Sequence, residues 1–286
     1  MNSRRNFIKQ SGLLTAGLFT LPEIIYFKQK KVGLQLYALR GIIEKDVPGT
    51  LKKILGCGYN MVETNGYTAT EKFMSYAPKD FLRLLKDNDL SSPSGLYGID
   101  LNKGKSLDDC RQYAEVAASI GQKYLIMPWL FEEWRKTTDD YKWVAKRLNE
   151  CGAICKKANV QFAYHNHDFE FIDMQGTNGM EILLRETDPD LVAMELDIYW
   201  TVRAGANPVA LLKKYPGRFP LWHVKDMDAQ NKELTTELGN GSINFKEIFA
   251  LSKNSKLKYA FVEQENFSIE PFESIRRSAI ALRKLL

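Results

Sequence analysis

"VQFAYHNH", residues 160–167, begins apolar and ends with two of the chain's three histidines. In an extended strand, residues i and i+2 point to one side, so His165 and His167 would share one location. The preceding "TTDDYKWVAKRLNECGAICKKAN", 137–159, reads as a helix, acidic in its first turn and lysine-rich in its last, which matches the helix dipole. A helix, then a short apolar strand that turns polar at its end, is the unit that recurs along the chain. The same strand pattern occurs at "VGLQLY" (32–37), "NMVETN" (60–65), "LSSPSGLY" (90–97), "KYLIMP" (123–128), "LVAMELD" (191–197), "PLWHVKD" (220–226) and "YAFVEQE" (259–265). Helical stretches lie between them. "PGTLKKILGCG" (48–58) ends on a glycine stop, and "SLDDCRQYAEVAASIG" (106–121) offers Ser106 and Asp109 as a capping box and Gly121 as its close. A last helix is expected from about Pro271 onward.

Eight strand–helix units in about 250 residues predict a single (β/α)8 TIM barrel of the α/β class over 31–286. A doubly wound open sheet is the alternative, but no G-x-G-x-x-G follows the first strand. In such barrels the catalytic groups sit at the C-terminal strand ends. Here those ends carry Glu63, His165 and His167, Asp197, His223 and Lys225, and Glu263 and Glu265. Two satisfied histidines on a half-buried strand would explain "HNH" alone. That so many costly ionisable groups gather at one mouth favours a functional site instead. A mixed histidine–carboxylate set suits Mn²⁺ first, and Zn²⁺, Co²⁺ or Fe²⁺, better than Ca²⁺ or Mg²⁺.

Residues 1–30 differ in character. Arg4 and Arg5 precede "NFIK" and the short apolar run "SGLLTAGLFTLP" (11–22), a pattern similar to a twin-arginine export signal. We expect an exported, periplasmic protein, with this leader retained as an anchor because no A-x-A site is evident; the run is too short to span a bilayer as a mature helix. The net charge of +5 is mild and partly carried by this leader, and no arginine stripe alternates with aromatics, so nucleic acid is not an expected partner. The four cysteines do not show zinc-knuckle spacing; Cys151 and Cys155, at i and i+4, read as buried apolar residues.

At "VGLQLYALR", "YNMVETNGY", "AYHNHDFEF", "ELDIYW", "WHVKD", "GNGSINF" and "FVEQE", the chain resembles the xylose-isomerase-like TIM-barrel superfamily, in its sugar phosphate isomerase/epimerase group. The resemblance covers about Val32 to Leu286. It implies one divalent metal held by residues on strands five to eight, which here are His165, Asp197, His223 and Glu263. The family often has Glu where His165 stands. This departure weakens a symmetric two-base epimerisation and draws the chain toward relatives similar to inosose dehydratases and keto-sugar lyases. The activity implied is a sugar isomerase or epimerase: the metal polarises a ketose or keto-sugar, Glu263 or His165 removes the α-proton, and Lys225 steadies an oxyanion or pairs with the glutamates. A lyase or dehydratase on the same site, or a non-catalytic sugar-binding barrel, are the alternatives. A repair endonuclease would need more histidines than three.

The partner is then a small-molecule sugar. Glu63, Asn65, His167, Glu170 and Glu265 are expected to contact its hydroxyls, with Tyr37, Trp129 and Trp200 offering stacking faces. Glu195 reads as deeper and structural, and Trp222 as packed beneath a helix. Gly239 and Gly241 read as turn glycines that admit positive φ, and an exported substrate as unphosphorylated.

Overall fold

The computed structural model describes residues 30–102 and 104–286; the expected leader, apart from Lys30, lies outside the described residues. Eight parallel strands close a barrel in chain order: β1 Gly33–Gln35, β2 Met61–Asn65, β3 Ser91–Leu96, β4 Tyr124–Met127, β5 Gln161–His165, β6 Val192–Asp197, β7 Leu221–Val224 and β8 Tyr259–Val262. Gly33 pairs with both Phe261 and Met61, which completes the ring. A Cβ on Gly33 would lie 2.3 Å from the Phe261 ring, so only glycine lets β1 and β8 approach as they do. Between β2 and β3 the register shifts around Met61 and Glu63, opposite Pro93, which has no N–H for the ladder.

Helices α1 Val47–Gly56, α2 Pro78–Asp87, α3 Asp108–Ser119, α4 Thr138–Lys157, α5 Gly179–Glu186, α6 Ile198–Arg203, α7 Pro208–Lys214, α8 Phe245–Phe249 and α9 Pro271–Leu285 surround the barrel. Their buried faces meet the outward strand residues in one large apolar layer. Trp222 lies in that layer, its ring 5.1 Å from that of Phe249 in α8. A smaller cluster of Met61, Leu96, Ile126, Ala163, Ala193, Leu221 and Phe261 fills the barrel's interior.

Two local expectations are corrected. The capping box at Ser106 and Asp109 does not form: Ser106 Oγ donates to Asp108 Oδ2 instead, and α3 starts after Leu107 without a side-chain cap. The box that does form is Thr137 with Asp140, at the start of α4. Gly239 has the expected positive φ of +87°, but Gly241 does not. Its Cβ would sit 2.4 Å from Asp226 Oδ1, so glycine there admits a carboxylate rather than a turn. That Asp226 carboxylate accepts the N–H groups of Met227, Gly239, Gly241 and Ile243, which folds the loop after β7 onto the strand end.

Candidate metal centre and active site

Inside the barrel five of the eight strands step upward from an apolar residue to polar ones two or four places on: Met61 to Glu63, Ala163 to His165, Ala193 to Glu195 and Asp197, Leu221 to His223 and Lys225, Phe261 to Glu263. All of these polar groups are buried. They form two tiers.

In the lower tier, Glu63 Oε1 accepts from Gln35 Nε2 at 2.6 Å and meets His223 Nε2 at 2.6 Å, while Oε2 accepts from Ser94 Oγ. Glu195 Oε2 lies 3.0 Å from His165 Nδ1 and 3.2 Å from His223 Nε2. Burial and the neighbouring Glu63 raise the Glu195 carboxyl well above the usual carboxylate range. Two carboxyls around one imidazole share protons as a unit. Whichever partner holds the proton, these bonds occupy one nitrogen of each ring and turn the other nitrogen toward Asp197.

In the upper tier, Asp197 caps α6 through Oδ1, which accepts the Trp200 N–H at 2.9 Å. Its Oδ2 is buried with no hydrogen-bond partner among the described residues. It faces His165 Nε2 at 3.8 Å, His223 Nδ1 at 4.0 Å and Lys225 Nζ at 3.2 Å. Glu263 Oε2 joins the group, 3.0 Å from His223 Nδ1 and 2.8 Å from Lys225 Nζ, and Lys225 also reaches Glu265 Oε1 at 2.7 Å. A buried carboxylate oxygen that accepts no hydrogen bond among the described residues, set between two imidazole nitrogens with a second carboxylate beside it, fits a divalent cation of the mixed nitrogen–oxygen kind. His165, Asp197 and His223 indeed offer ligand atoms within 4.8 Å of one another. The second histidine nitrogens anchored on Glu195 and Glu63 supply the carboxylate backing that metal-bound imidazoles characteristically have.

The charges divide by environment. Burial, with His223 adding to it, pushes His165 well below the usual imidazole range, so it stays neutral. Burial alone would lower His223 too, but Glu195, Glu63 and Glu263 hold it well above that range. Burial pushes Asp197 up to about 6, against the pull of Lys225. Glu263 runs the other way: despite burial, Lys225 and His223 hold it well below its ordinary value, as a carboxylate. Lys225, flanked by Asp197, Glu263 and Glu265, is held firmly cationic in spite of its burial.

Above this cluster opens a pocket of about 320 Å³ lined by Tyr37, Trp129, His165, His167, Trp200, His223, Lys225, Glu263 and Glu265, with Leu96 and Pro128. Trp129 is 42% exposed and stands edge-on to His167, 4.6 Å between centroids. Burial pushes His167 down to about 3, so it is neutral; its Nδ1 and the Trp200 Nε1 are buried with no hydrogen-bond partner among the described residues.

Three residues expected on this wall lie elsewhere. Glu63 is beneath it, bonded to His223. Asn65 ends β2 outside the lining. Glu170 sits in a 3-10 turn, Phe169–Phe171, that directs it inward, where it accepts from the Tyr164 hydroxyl and the His167 N–H. Burial pushes it up to about 7. Glu195, read as structural, proves to hold both histidines.

Residues that sequence reasoning passed over include Gln35 and Ser94, which hold Glu63, and Asn166, which accepts the Asp197 N–H at 3.0 Å and so ties β5 to β6. Gln35 could have been found by phase, two residues after Gly33. Arg135, stacked 3.7 Å over the Phe169 ring, carried no such signal.

The pattern of the xylose isomerase-like TIM barrel family matches residues 51–285. An inosose dehydratase of Clostridium tetani is 30% identical over 146 residues, which are 45% of this chain and 48% of the relative; the chain thus spans about half the length of the curated relatives it matches. Among solved structures, a sugar phosphate isomerase/epimerase from Parabacteroides distasonis superposes with TM-score 0.80 at 30% identity, covering 89% of this chain and 94% of that one. An IOLI protein with a bound zinc atom shares the fold, with TM-score 0.68 at 15% identity over 90% of this chain and 98% of its own.

Proposed function

From the premise that this chain belongs to the xylose isomerase-like TIM barrel family, we propose that it is a divalent-metal-dependent isomerase or epimerase acting on an unphosphorylated ketose or keto-sugar by abstracting the proton α to its carbonyl. The observation that carries this reading is Asp197 Oδ2, buried between His165 Nε2 and His223 Nδ1, with no hydrogen bond among the described residues and only the Lys225 ammonium, at 3.2 Å, to offset its charge.

His165, Asp197, His223 and Glu263 would hold the cation, Mn²⁺ first among the candidates. When bound, the ion supplies Lewis acidity to a carbonyl oxygen and its neighbouring hydroxyl. Everything else is done by the chain. Trp129 and Trp200 offer apolar faces to a sugar ring, and His167, neutral, offers a free Nδ1 to a hydroxyl. Glu263, kept ionised, takes the α-proton as general base. Lys225 stays cationic beside it and stabilises negative charge that develops on the substrate oxygen. Return of the proton to the same or the neighbouring carbon gives epimerisation or isomerisation.

A second reading, dehydration, is favoured by one particular observation. His165 is a neutral imidazole where Glu263 is a carboxylate, and the cationic Lys225 lies 2.8 Å from Glu263, an unequal set in which Glu263 would remove the α-proton and return it to the departing β-oxygen, which leaves as water, while Lys225 stabilises the charge on the substrate oxygen. The inosose dehydratase relatives support the same direction.

Both readings are tested by incubating the Mn²⁺-loaded protein in deuterium oxide with a panel of ketohexoses, 3-keto-glycosides and inososes. Mass spectrometry should find one deuterium per molecule in a product of unchanged composition for the epimerase or isomerase, at the α-carbon or the former carbonyl carbon; the dehydratase should give a product lighter by one water, whose α-carbon has lost its hydrogen and whose deuterium enters at the former β-carbon as the enol ketonises. Absence of exchange from every member of the panel, with the metal bound stoichiometrically, would leave a sugar-binding barrel.

A further inference from the structure

One buried acid has no part in the chemistry proposed above. Glu170 has no exposed surface, and a carboxyl in such a place is costly unless its oxygens are satisfied. Both of them are. β5 ends at His165, so the His167 N–H lies beyond the strand ladder, and Glu170 Oε2 accepts it at 2.8 Å. Oε1 accepts from the hydroxyl of Tyr164, whose ring is packed in the apolar layer between barrel and helices. The carboxyl thus fastens the turn after β5 to the outward side of that strand. A second fastening lies beside it: the Tyr141 hydroxyl of α4 donates to the Phe169 carbonyl at 3.4 Å. The Tyr141 ring fits there because α5 begins with Gly179, where a Cβ would lie 2.2 Å from it.

This turn carries one wall of the pocket. The rings of His167 and Phe169 are parallel within 5°, with 5.6 Å between centroids. Both meet Trp129 nearly edge-on, at 4.6 and 4.9 Å. The Arg135 guanidinium lies 3.7 Å from the Phe169 centroid and 5.8 Å from that of Trp129, which completes the stack. His167 and Trp129 line the pocket, whereas Phe169 and Glu170 do not. Trp129 follows β4 in a segment without regular structure, so its ring is oriented by these contacts rather than by a backbone repeat.

We propose that Glu170 is a positioning residue for substrate binding: it holds the His167 amide, and through the rings of His167 and Phe169 it sets the face that Trp129 presents to the sugar. What the wall receives rests on the sugar chemistry proposed above; how the wall is held does not. Glu170 lines no part of the pocket and is bonded to His167 and Tyr164, neither of them a proposed metal ligand. Its loss should weaken substrate binding and spare the chemistry.

Two measurements on the full chain test this, and the first needs no substrate. Hydroxyl-radical footprinting read by mass spectrometry follows the exposure of each ring. In Glu170→Ala, labelling of Trp129 and His167 should rise by about twofold or more, and hydrogen exchange at the His167 amide by about 10- to 100-fold. Trp143, elsewhere on α4, should be labelled as in the native protein. Glu170→Gln, whose amide oxygen can still accept the His167 N–H, should keep the native pattern. The second measurement takes methyl 3-keto-β-D-glucopyranoside as probe substrate for the Mn²⁺-loaded protein. Glu170→Ala should raise KM by about tenfold with kcat within about twofold, and Glu170→Gln should return KM to near the native value. Mn²⁺ affinity should stay the same in both variants. A native footprint or an unchanged KM in Glu170→Ala overturns the proposal, even if the thermal midpoint falls. So does a Glu170→Gln variant as impaired as Glu170→Ala, since the hydrogen bond would then not be what acts. If the native protein leaves the probe untouched, that counts against the sugar chemistry, and the footprint alone decides whether Glu170 holds the wall.

Discussion

The barrel interior has two storeys built from the same strands by opposite rules. The lower one, Met61, Ile126, Ala163, Ala193, Leu221 and Phe261, is apolar and fills its space with side chains alone. The upper one, two or four residues further along five of the strands, buries three glutamates, an aspartate, two histidines and a lysine beneath and at the floor of the pocket. Burying charge costs several kcal/mol per ion unless partners compensate, whereas burying Phe or Leu is favourable by about 2 kcal/mol each. The lower storey therefore holds the barrel together, and the upper storey is maintained by it. The two should respond to substitution in different currencies, stability below and chemistry above.

The sharpest way to break this division is Glu263→Gln. Loss of the proposed general base should slow α-carbon exchange by about 10²- to 10⁴-fold, measured as deuterium uptake at saturating substrate. The thermal midpoint should fall as well, because the buried Lys225 and His223 each lose a carboxylate partner, so exchange is compared per folded molecule. A variant that exchanges at the native rate would remove Glu263 from its role as base. The mirror experiment is Phe261→Ala, which empties the centre of the lower storey and should cost about 3–5 kcal/mol in urea denaturation. Metal bound per folded molecule should stay unchanged. Activity that falls more than stability would mean the storeys are coupled more tightly than their packing indicates.

The contrast also explains which parts of the site were legible in the sequence. Period-two alternation and eight helix–strand units are local signals, and the closed barrel follows from them. The same alternation brought His165, Asp197, His223, Lys225 and Glu263 to one interior face. Height along the barrel axis is not local. Glu63 and Glu265 both end polar strand runs, yet one lies beneath His223 and the other on the pocket wall, because the strands are staggered. Glu170 escaped for another reason: the turn Phe169–Phe171 rotates it away from the sugar side and toward Tyr164. Ser106 resembled a helix cap, but its hydroxyl bonded to Asp108, a competition between neighbouring side chains that spacing does not reveal.

Glu170 supplies the next test, since it lies in neither storey. Its carboxyl moves from an ordinary 4.5 when unfolded to about 7 when folded. The folded state then binds the extra proton, so its contribution is fully present below pH 4.5 and is lost as pH rises through 7. The loss amounts to about 3 kcal/mol. Urea midpoints measured from pH 4.5 to 8 should show this decline in the native protein and a flatter profile in Glu170→Gln, whose amide can still accept the His167 N–H. A profile unaltered by the substitution would place the titration elsewhere.

The smallest effect is the most discriminating, because Glu195 stands at the boundary between the storeys. It touches no pocket, yet its Oε2 lies within 3.2 Å of nitrogens from both His165 and His223. Both rings meet the single oxygen Oε2, which an amide could keep, but the amide carries no negative charge and sets an N–H₂ where the unpartnered Oε1 stands, so both anchors weaken. Residues that back metal-bound histidines typically change affinity by 10- to 100-fold when altered. Glu195→Gln should therefore weaken Mn²⁺ binding by about that factor in a competition titration with a chelator. Neutralising a buried carboxyl should at the same time leave the urea midpoint equal or slightly higher. Lower stability with full metal affinity would make Glu195 a member of the lower storey after all, and would leave Glu63 alone to orient His223.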